Sequence, residues 1–220
     1  PQRPRHAQCS IDIFDMLRNR YAFSPTVGVF YDLIMKWGME DLDEPAPDVT
    51  VIPNLRDKNI DCGHFDVKQQ GTRPGLIIEV VSPSSKTDYT RKVEIYEQAG
   101  VTEYFIVDPH SKTKQPYYEI KGYRLQGNKY MPIKHDEQGC LLSKTTDVLF
   151  GVYNNKQRVR LKDCKTGEWL LTAEEEREAR LIEQEARLKA EAQVKQGEQK
   201  IHQLMEQLRQ LGVEPNSENW

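Results

Sequence analysis

The stretch Leu76-Ile77-Ile78-Glu79-Val80-Val81-Ser82-Pro83 sets one acidic residue inside an apolar, β-branched run closed by proline. Its length and composition read as a short buried strand. Upstream, Ala46-Pro47-Asp48-Val49-Thr50-Val51-Ile52 repeats the arrangement with Asp48 at its head. A carboxylate in such a setting is costly unless a partner offsets its desolvation. A bound metal ion is the partner with the most functional content.

Outward from these strands the pattern alternates. Ser10–Arg18 predicts a helix, with Ser10 as its cap and Ile11, Phe14 and Leu17 on one face. Thr26–Met35 reads as one strand, separated from Val49–Ile52 by the acidic turn Glu40–Pro45, which predicts an antiparallel pair. Residues 54–74 read as a long irregular connection. After Leu76–Val81, Asp88–Gly100 predicts a helix with Asp88 at its N-cap and Gly100 as its stop. Val101–Pro109 is a further strand, so this segment reads as a right-handed βαβ unit with parallel strands. Tyr117–Leu125 and Lys129–Ile133 predict a hairpin, and Leu149–Tyr153 and Val159–Leu161 more peripheral β structure.

Charge narrows the function classes. The first 170 residues hold 24 basic and 23 acidic side chains, and the last 50 hold 7 and 11. The body is nearly neutral and lacks the basic field of a strong non-specific nucleic-acid binder. Cys9, Cys62, Cys140 and Cys164 are far apart and have no zinc spacing. They read as reduced thiols in a cytoplasmic protein. No apolar stretch reaches membrane-spanning length.

Asp48 and Glu79 on adjacent strands can share one divalent cation, with the Val80 backbone carbonyl as a third oxygen ligand. Hard oxygen donors suit magnesium, with manganese as the alternative. Lys92, on the helix beside them, would orient an attacking water. The bland reading of each residue stands beside this one. A buried aspartate can be satisfied by backbone amides, Asp88 and Lys92 at helical spacing can simply pair, and most helix lysines are solvated. Tyr96 and Tyr104 read as core aromatics whose hydroxyls find a partner. Asp108 reads as a strand terminator. His6 could lie at the cleft mouth through the first helix, although a lone histidine near a terminus is usually surface. His64, His110 and His135 have no role, and Ser82 and Ser84 are turn caps rather than nucleophiles.

Pro47-Asp48, Glu79 and a following lysine resemble the PD-(D/E)xK nuclease superfamily. Ile78–Ser85, followed by Asp88, Lys92, Tyr96, Gly100-Val101 and Glu103–Asp108, is similar to the Uma-type family of restriction endonucleases. The likeness is strongest over residues 45–110. It implies an α/β, restriction-endonuclease-like core, a mixed central sheet flanked by helices, and metal-dependent hydrolysis of phosphodiester bonds in DNA. It assigns metal binding to Asp48 and Glu79 and the basic role to Lys92. The chain departs from the superfamily at Val81, where lysine is usual, and has no acidic residue near His6 on the first helix. A catalytically degenerate nucleic-acid- or partner-binding module is the rival reading, and a coiled-coil assembly protein a third.

The organisation expected is a core over 1–150, a peripheral β extension over 151–171, a helical arm over 172–211 and a tail over 212–220. Thr172 and Glu175 suit a capping box at the start of the arm. Val194, Ile201 and Leu208 recur every seven residues, as do Leu204 and Leu211, with Ala190 and Gly197 extending the second series. This apolar seam predicts a coiled coil and a homodimer or higher homo-oligomer, set against a docked or solvated helix.

Overall fold

Within Leu76–Val80, strand β5, alternate residues face opposite sides, and every one of the five is buried. Leu76, Ile78 and Val80 join one apolar cluster and Ile77 the other. A strand covered on both faces needs no polar alternation, which is why the run reads as continuous in sequence. The computed structural model describes residues 4–58, 63–82, 87–110, 116–153 and 155–212.

The chain opens with helix α1 (Pro4–Arg20) and strands β1 (Gly28–Tyr31), β2 (Ile34–Lys36), β3 (Val49–Ile52) and β4 (His64–Asp66). Helix α2 (Val67–Gln70) precedes β5, and helix α3 (Arg91–Gln98) follows it. Then come β6 (Glu103–Pro109), β7 (Tyr118–Gln126), β8 (Lys129–Pro132), β9 (Leu141–Ser143), β10 (Val148–Tyr153), β11 (Arg158–Asp163) and helix α4 (Ala173–Gln210). Among the described residues a six-stranded sheet runs β1-β3-β5-β6-β7-β8, a second sheet β11-β10-β9, and β2 pairs with β4. β5 and β6 are parallel, and the other neighbours in the large sheet are antiparallel. This is the mixed α/β sheet with a long C-terminal helix that the sequence predicts.

One face of the large sheet packs on Ile13, Met16 and Leu17 of α1 and on Leu141, Val148 and Phe150 of the second sheet. The other face packs Ile52, Ile77, Tyr104 and Ile106 against Ile95 and Tyr96 of α3. Thus α3 lies on the side towards which Glu79 points.

Local expectations differ from the structure in four places. The first helix begins at Pro4, so Ser10 is internal, and its hydroxyl donates to the carbonyls of His6 and Ala7. Thr26–Met35 is two strands because Asp32 takes a left-handed conformation (φ 50°) that interrupts the ladder. β1 alone forms the antiparallel pair with β3, while β2 pairs in parallel with β4. The 54–74 connection contains β4 and α2, whose N-cap Asp66 accepts from the Gln69 amide. Finally, Asp88 lies in a 3-10 turn (Thr87–Tyr89), and Thr90 occupies the cap position of α3 without a side-chain bond. Gly100 does follow α3 with φ 74°, as a stop requires.

The chain divides into two compact units, 1–173 and 174–220. In the second, α4 buries none of its side chains and exposes Leu181, Leu188, Val194, Ile201, Leu204 and Leu208. No helix among the described residues is long and apolar enough to cross a membrane. Cys9, Cys140 and Cys164 are free thiols. Cys62, the Pro83-Ser84-Ser85 part of the turn and residues 213–220 lie outside the described residues.

Candidate active site

The register between β3 and β5 pairs Val49 with Ile78 and Thr50 with Ile77. One further step along this antiparallel ladder sets Asp48 opposite Glu79, and opposite residues share a face. Asp48 stands just before β3, where the ladder ends, and its Oδ2 accepts the Val80 amide at 2.8 Å. The Val81 amide, by contrast, donates to the Val107 carbonyl on the β6 side. In an extended strand the N–H and C=O of one residue point the same way, so the Val80 carbonyl also faces the Asp48 side.

Helix α3 completes the arrangement. Lys92 Nζ lies 2.9 Å from Glu79 Oε1 and 2.8 Å from Asp88 Oδ1. The contact with Asp88 is an ion pair without the angles of a directed hydrogen bond. Tyr96, one helical turn on from Lys92, donates its hydroxyl to the same Glu79 oxygen at 2.7 Å. Tyr104 donates to the Asp88 backbone carbonyl at 2.9 Å and packs edge-on against Tyr96. The two tyrosines are therefore core aromatics with anchored hydroxyls, and they fix the carboxylate and the turn that meet at Lys92.

Burial dominates the electrostatics. Desolvation pushes the Glu79 carboxyl up to about 7, against the opposing pull of Lys92 and with added repulsion from Asp48. Desolvation also raises Asp48, partly offset by the Val80 amide, His6 and Lys92. For Lys92, burial alone would favour the neutral amine, but Glu79 and Asp88 outweigh it and hold the ammonium charged above its ordinary range. Glu79, with 4% of its side chain exposed, is a carboxylate whose charge depends on what stands beside it.

The sequence left His6 between the cleft mouth and the surface, and the structure places it at the site. It is buried, and its Nε2 lies 3.6 Å from Asp48 Oδ2. The signal was present: counting back seven from Ile13 along the helix reaches His6, on the same buried face as Cys9, Ser10, Ile13 and Met16. Of the two readings of Asp88, helix cap and partner of Lys92, the structure shows the second, with Asp88 buried.

The donors present fit a hard divalent cation. Asp48 Oδ2 spends one acceptor position on the Val80 amide, a carboxylate from each strand faces one side, and a carbonyl oxygen joins them. Among the described residues no three His, Cys, Asp or Glu side chains already form a closed cluster. Asp48, Glu79, Val80 and Lys92 are thus brought together. Val81 is buried in the apolar cluster on the α3 side. Asp108 accepts from the Tyr89 hydroxyl and His110 lies 3.0 Å from Glu119, within a separate polar group.

No curated protein matches this chain. Among solved structures, a chain titled "Crystal structure of a putative nuclease belonging to DUF820 from Anabaena variabilis" is similar, at 16% identity and a TM-score of 0.48, over 66% of this chain and 75% of that one. The family model Uma2, described as "Putative restriction endonuclease", matches residues 1–152, more than two thirds of the sequence, and the chain belongs to that family.

Proposed function

We propose that this protein is an endonuclease that hydrolyses phosphodiester bonds in DNA with the help of a divalent cation, magnesium in the first instance. The observation that carries this reading is the meeting of Asp48, Glu79 and Lys92, from two strands and a helix, around one buried carboxylate. Asp48, Glu79 and the Val80 carbonyl would hold the ion, which supplies a lowered pKa for bound water and stabilises charge on the phosphate. Lys92 would orient the attacking water and stabilise the developing negative charge. Asp88 keeps the ammonium over the site, and the Tyr96 hydroxyl fixes the rotamer of Glu79. Ile77, Val81 and Ile95 form a buried apolar wall, and a low-dielectric surround would strengthen each of these interactions.

In this proposal residues 1–150 are the nuclease core, 151–171 its β extension, and 172–211 an arm that pairs with a second copy. Pairing would bring two sites to the two strands of a duplex. A second reading, a degenerate nuclease fold that binds without cleaving, is favoured by one observation: Val81, where the superfamily has lysine, is apolar and buried.

Cleavage of supercoiled plasmid with magnesium or manganese, compared between wild type and the variants Asp48→Ala and Glu79→Ala, decides between the two. The nuclease reading expects nicking by wild type alone. Equal nicking by all three preparations, or none by any, would sink it.

A further inference from the structure

We propose that the outer face of the β10-β11 pair is a platform for a single strand of DNA, with a base stacked on Trp169 and phosphates held by Arg160 and Lys162. The proposal takes from the nuclease reading only that the nucleic acid is DNA. It needs neither the cation nor the carboxylates, and β11 and Trp169 lie beyond the residues shared with the family.

β11 alternates strictly. Val159, Leu161 and Asp163 are buried, while Arg158, Arg160 and Lys162 take the half-exposed positions between them. The register with β10 sets Tyr153 opposite Arg158, Gly151 opposite Arg160 and Leu149 opposite Lys162. Opposite residues share a face. The outward positions of the two strands therefore hold three cations and no carboxylate. Asp163, the one acid of β11, is buried and pairs with Arg20 at 2.7 Å. In a body that is nearly neutral, this is a local concentration of positive charge.

Trp169 lies over the same face. It bridges to Lys162 across an antiparallel step, and the Arg160 guanidinium and the Lys162 ammonium each stand 5.7 Å from its ring centroid. Tyr153 meets the indole edge-on at 4.6 Å. Gly151 makes room for this group, because a Cβ there would come within 2.7 Å of the Tyr153 ring. The indole nonetheless stays 40% exposed, although burial rewards tryptophan strongly. An exposed aromatic face flanked by cations is the chemistry that stacks a base and holds the phosphates beside it. A duplex keeps its base faces stacked on one another and offers only edges and phosphates. A single strand offers a free base face, so the indole selects it.

The face also leads towards the candidate site. The Tyr118 amide donates to the Lys156 carbonyl in the β10-β11 turn, and Tyr118 pairs with Pro109 at the end of β6. Val80 pairs with Val107 on that same strand. The turn and the carboxylates therefore lie at one end of the large sheet. A strand laid across Trp169 towards this turn continues towards Glu79.

The test uses the full-length protein in EDTA, so that no cleavage intervenes. Binding of a labelled oligo-dT of about 15 nucleotides is followed by anisotropy, and stacking by quenching of tryptophan fluorescence with the unlabelled oligomer. A duplex of equal length serves as the comparison. The expected result is tighter binding of the single strand than of the duplex, with quenching. Trp169→Phe keeps an aromatic face, so it should hold its affinity within about threefold but lose the quenching. Trp169→Ala should weaken binding about tenfold or more. Arg160→Gln with Lys162→Gln should weaken it too and reduce the salt slope by about one unit of log K per log salt. Circular dichroism checks folding, and if Trp169→Ala does not fold, the Trp169→Phe quenching and the salt slope decide. No binding by wild type, preference for the duplex, quenching that survives in Trp169→Phe, or an unchanged salt slope would each overturn the platform and leave the nuclease reading to the plasmid assay. Quenched, single-strand-selective binding by a protein that nicks no plasmid would uphold the platform and remove the nuclease.

Discussion

Lys92 Nζ and Glu79 Oε1 are 2.9 Å apart, although one residue comes from α3 and the other from β5. In the proposed nuclease, Lys92 would supply from the helix the lysine that the strand lacks at Val81, and Asp88 is the second carboxylate paired with it. The site therefore depends on how α3 packs, and not on the strand alone.

Lys92→Met should lower single-turnover cleavage by about two orders of magnitude or more, the usual cost of losing a positioned charged donor. DNA binding, read by fluorescence anisotropy, should change little. A variant that cleaves like wild type would remove Lys92 from the reaction.

Position 81 shares a face with Glu79, two residues away on an extended strand. Exchanging the two residues, as Val81→Lys with Lys92→Val, should therefore recover about tenfold or more of the activity lost in Lys92→Val alone. The exchange costs stability, because Val81 is buried among apolar side chains. No recovery in a folded double variant would mean that the helix position is required.

Glu79 gives a pH signature. Its carboxyl is raised from 4.5 to about 7 in the folded protein, so the native state holds this proton more tightly than the unfolded chain does. The resulting stability is complete below pH 4.5 and is lost as pH rises through 7, on the order of 3 kcal/mol in total. Urea unfolding in EDTA should show this fall between pH 5 and 8, and Glu79→Gln should flatten it. Cation affinity should run the other way and rise with pH through 7, because the proton competes for the same oxygens. A pH-independent affinity would contradict ligation by Glu79.

Glu103 is fully buried, and its carboxylate accepts from Arg124, the Ser143 hydroxyl and the amides of Lys144 and Thr145. It ties the β9 segment to β6. Glu103→Ala leaves these donors without their shared acceptor and should cost about 3 to 5 kcal/mol in urea unfolding. Because the site lies elsewhere, residual folded protein should keep its cation affinity.

The arm offers an independent test. If Val194, Ile201, Leu204 and Leu208 form a coiled-coil seam, Ile201→Glu with Leu204→Glu in the full-length protein should halve the mass seen by light scattering. An unchanged mass would deprive α4 of its proposed role.

The continuous apolar run around Glu79 determined both its strand and the burial of that strand. Gly100 and the Asp-Pro ending of β6 marked element ends correctly, because backbone conformation there depends on the residue itself. Family membership was also legible, since the spaced motif from Pro47 to Asp108 is local in sequence. What a linear reading assigned wrongly were cap positions and element boundaries. Ser10 and Asp88 look like caps, yet Ser10 lies within α1, and Asp88 makes the pair with Lys92 that helical spacing had also allowed. Thr26–Met35 reads as one strand, and only the left-handed Asp32 divides it.

The sequence by itself determined which carboxylates would be expensive to bury, because that cost follows from the apolar residues on either side of them. Only the tertiary structure decided what stands beside each one. The ladder between β3 and β5 sets Asp48 opposite Glu79, α3 brings Lys92 and Tyr96 onto a single oxygen, and α1 carries His6 to Asp48. These meetings depend on packing between elements far apart in the chain, where a shift of one residue in register would turn the same side chains to the opposite face.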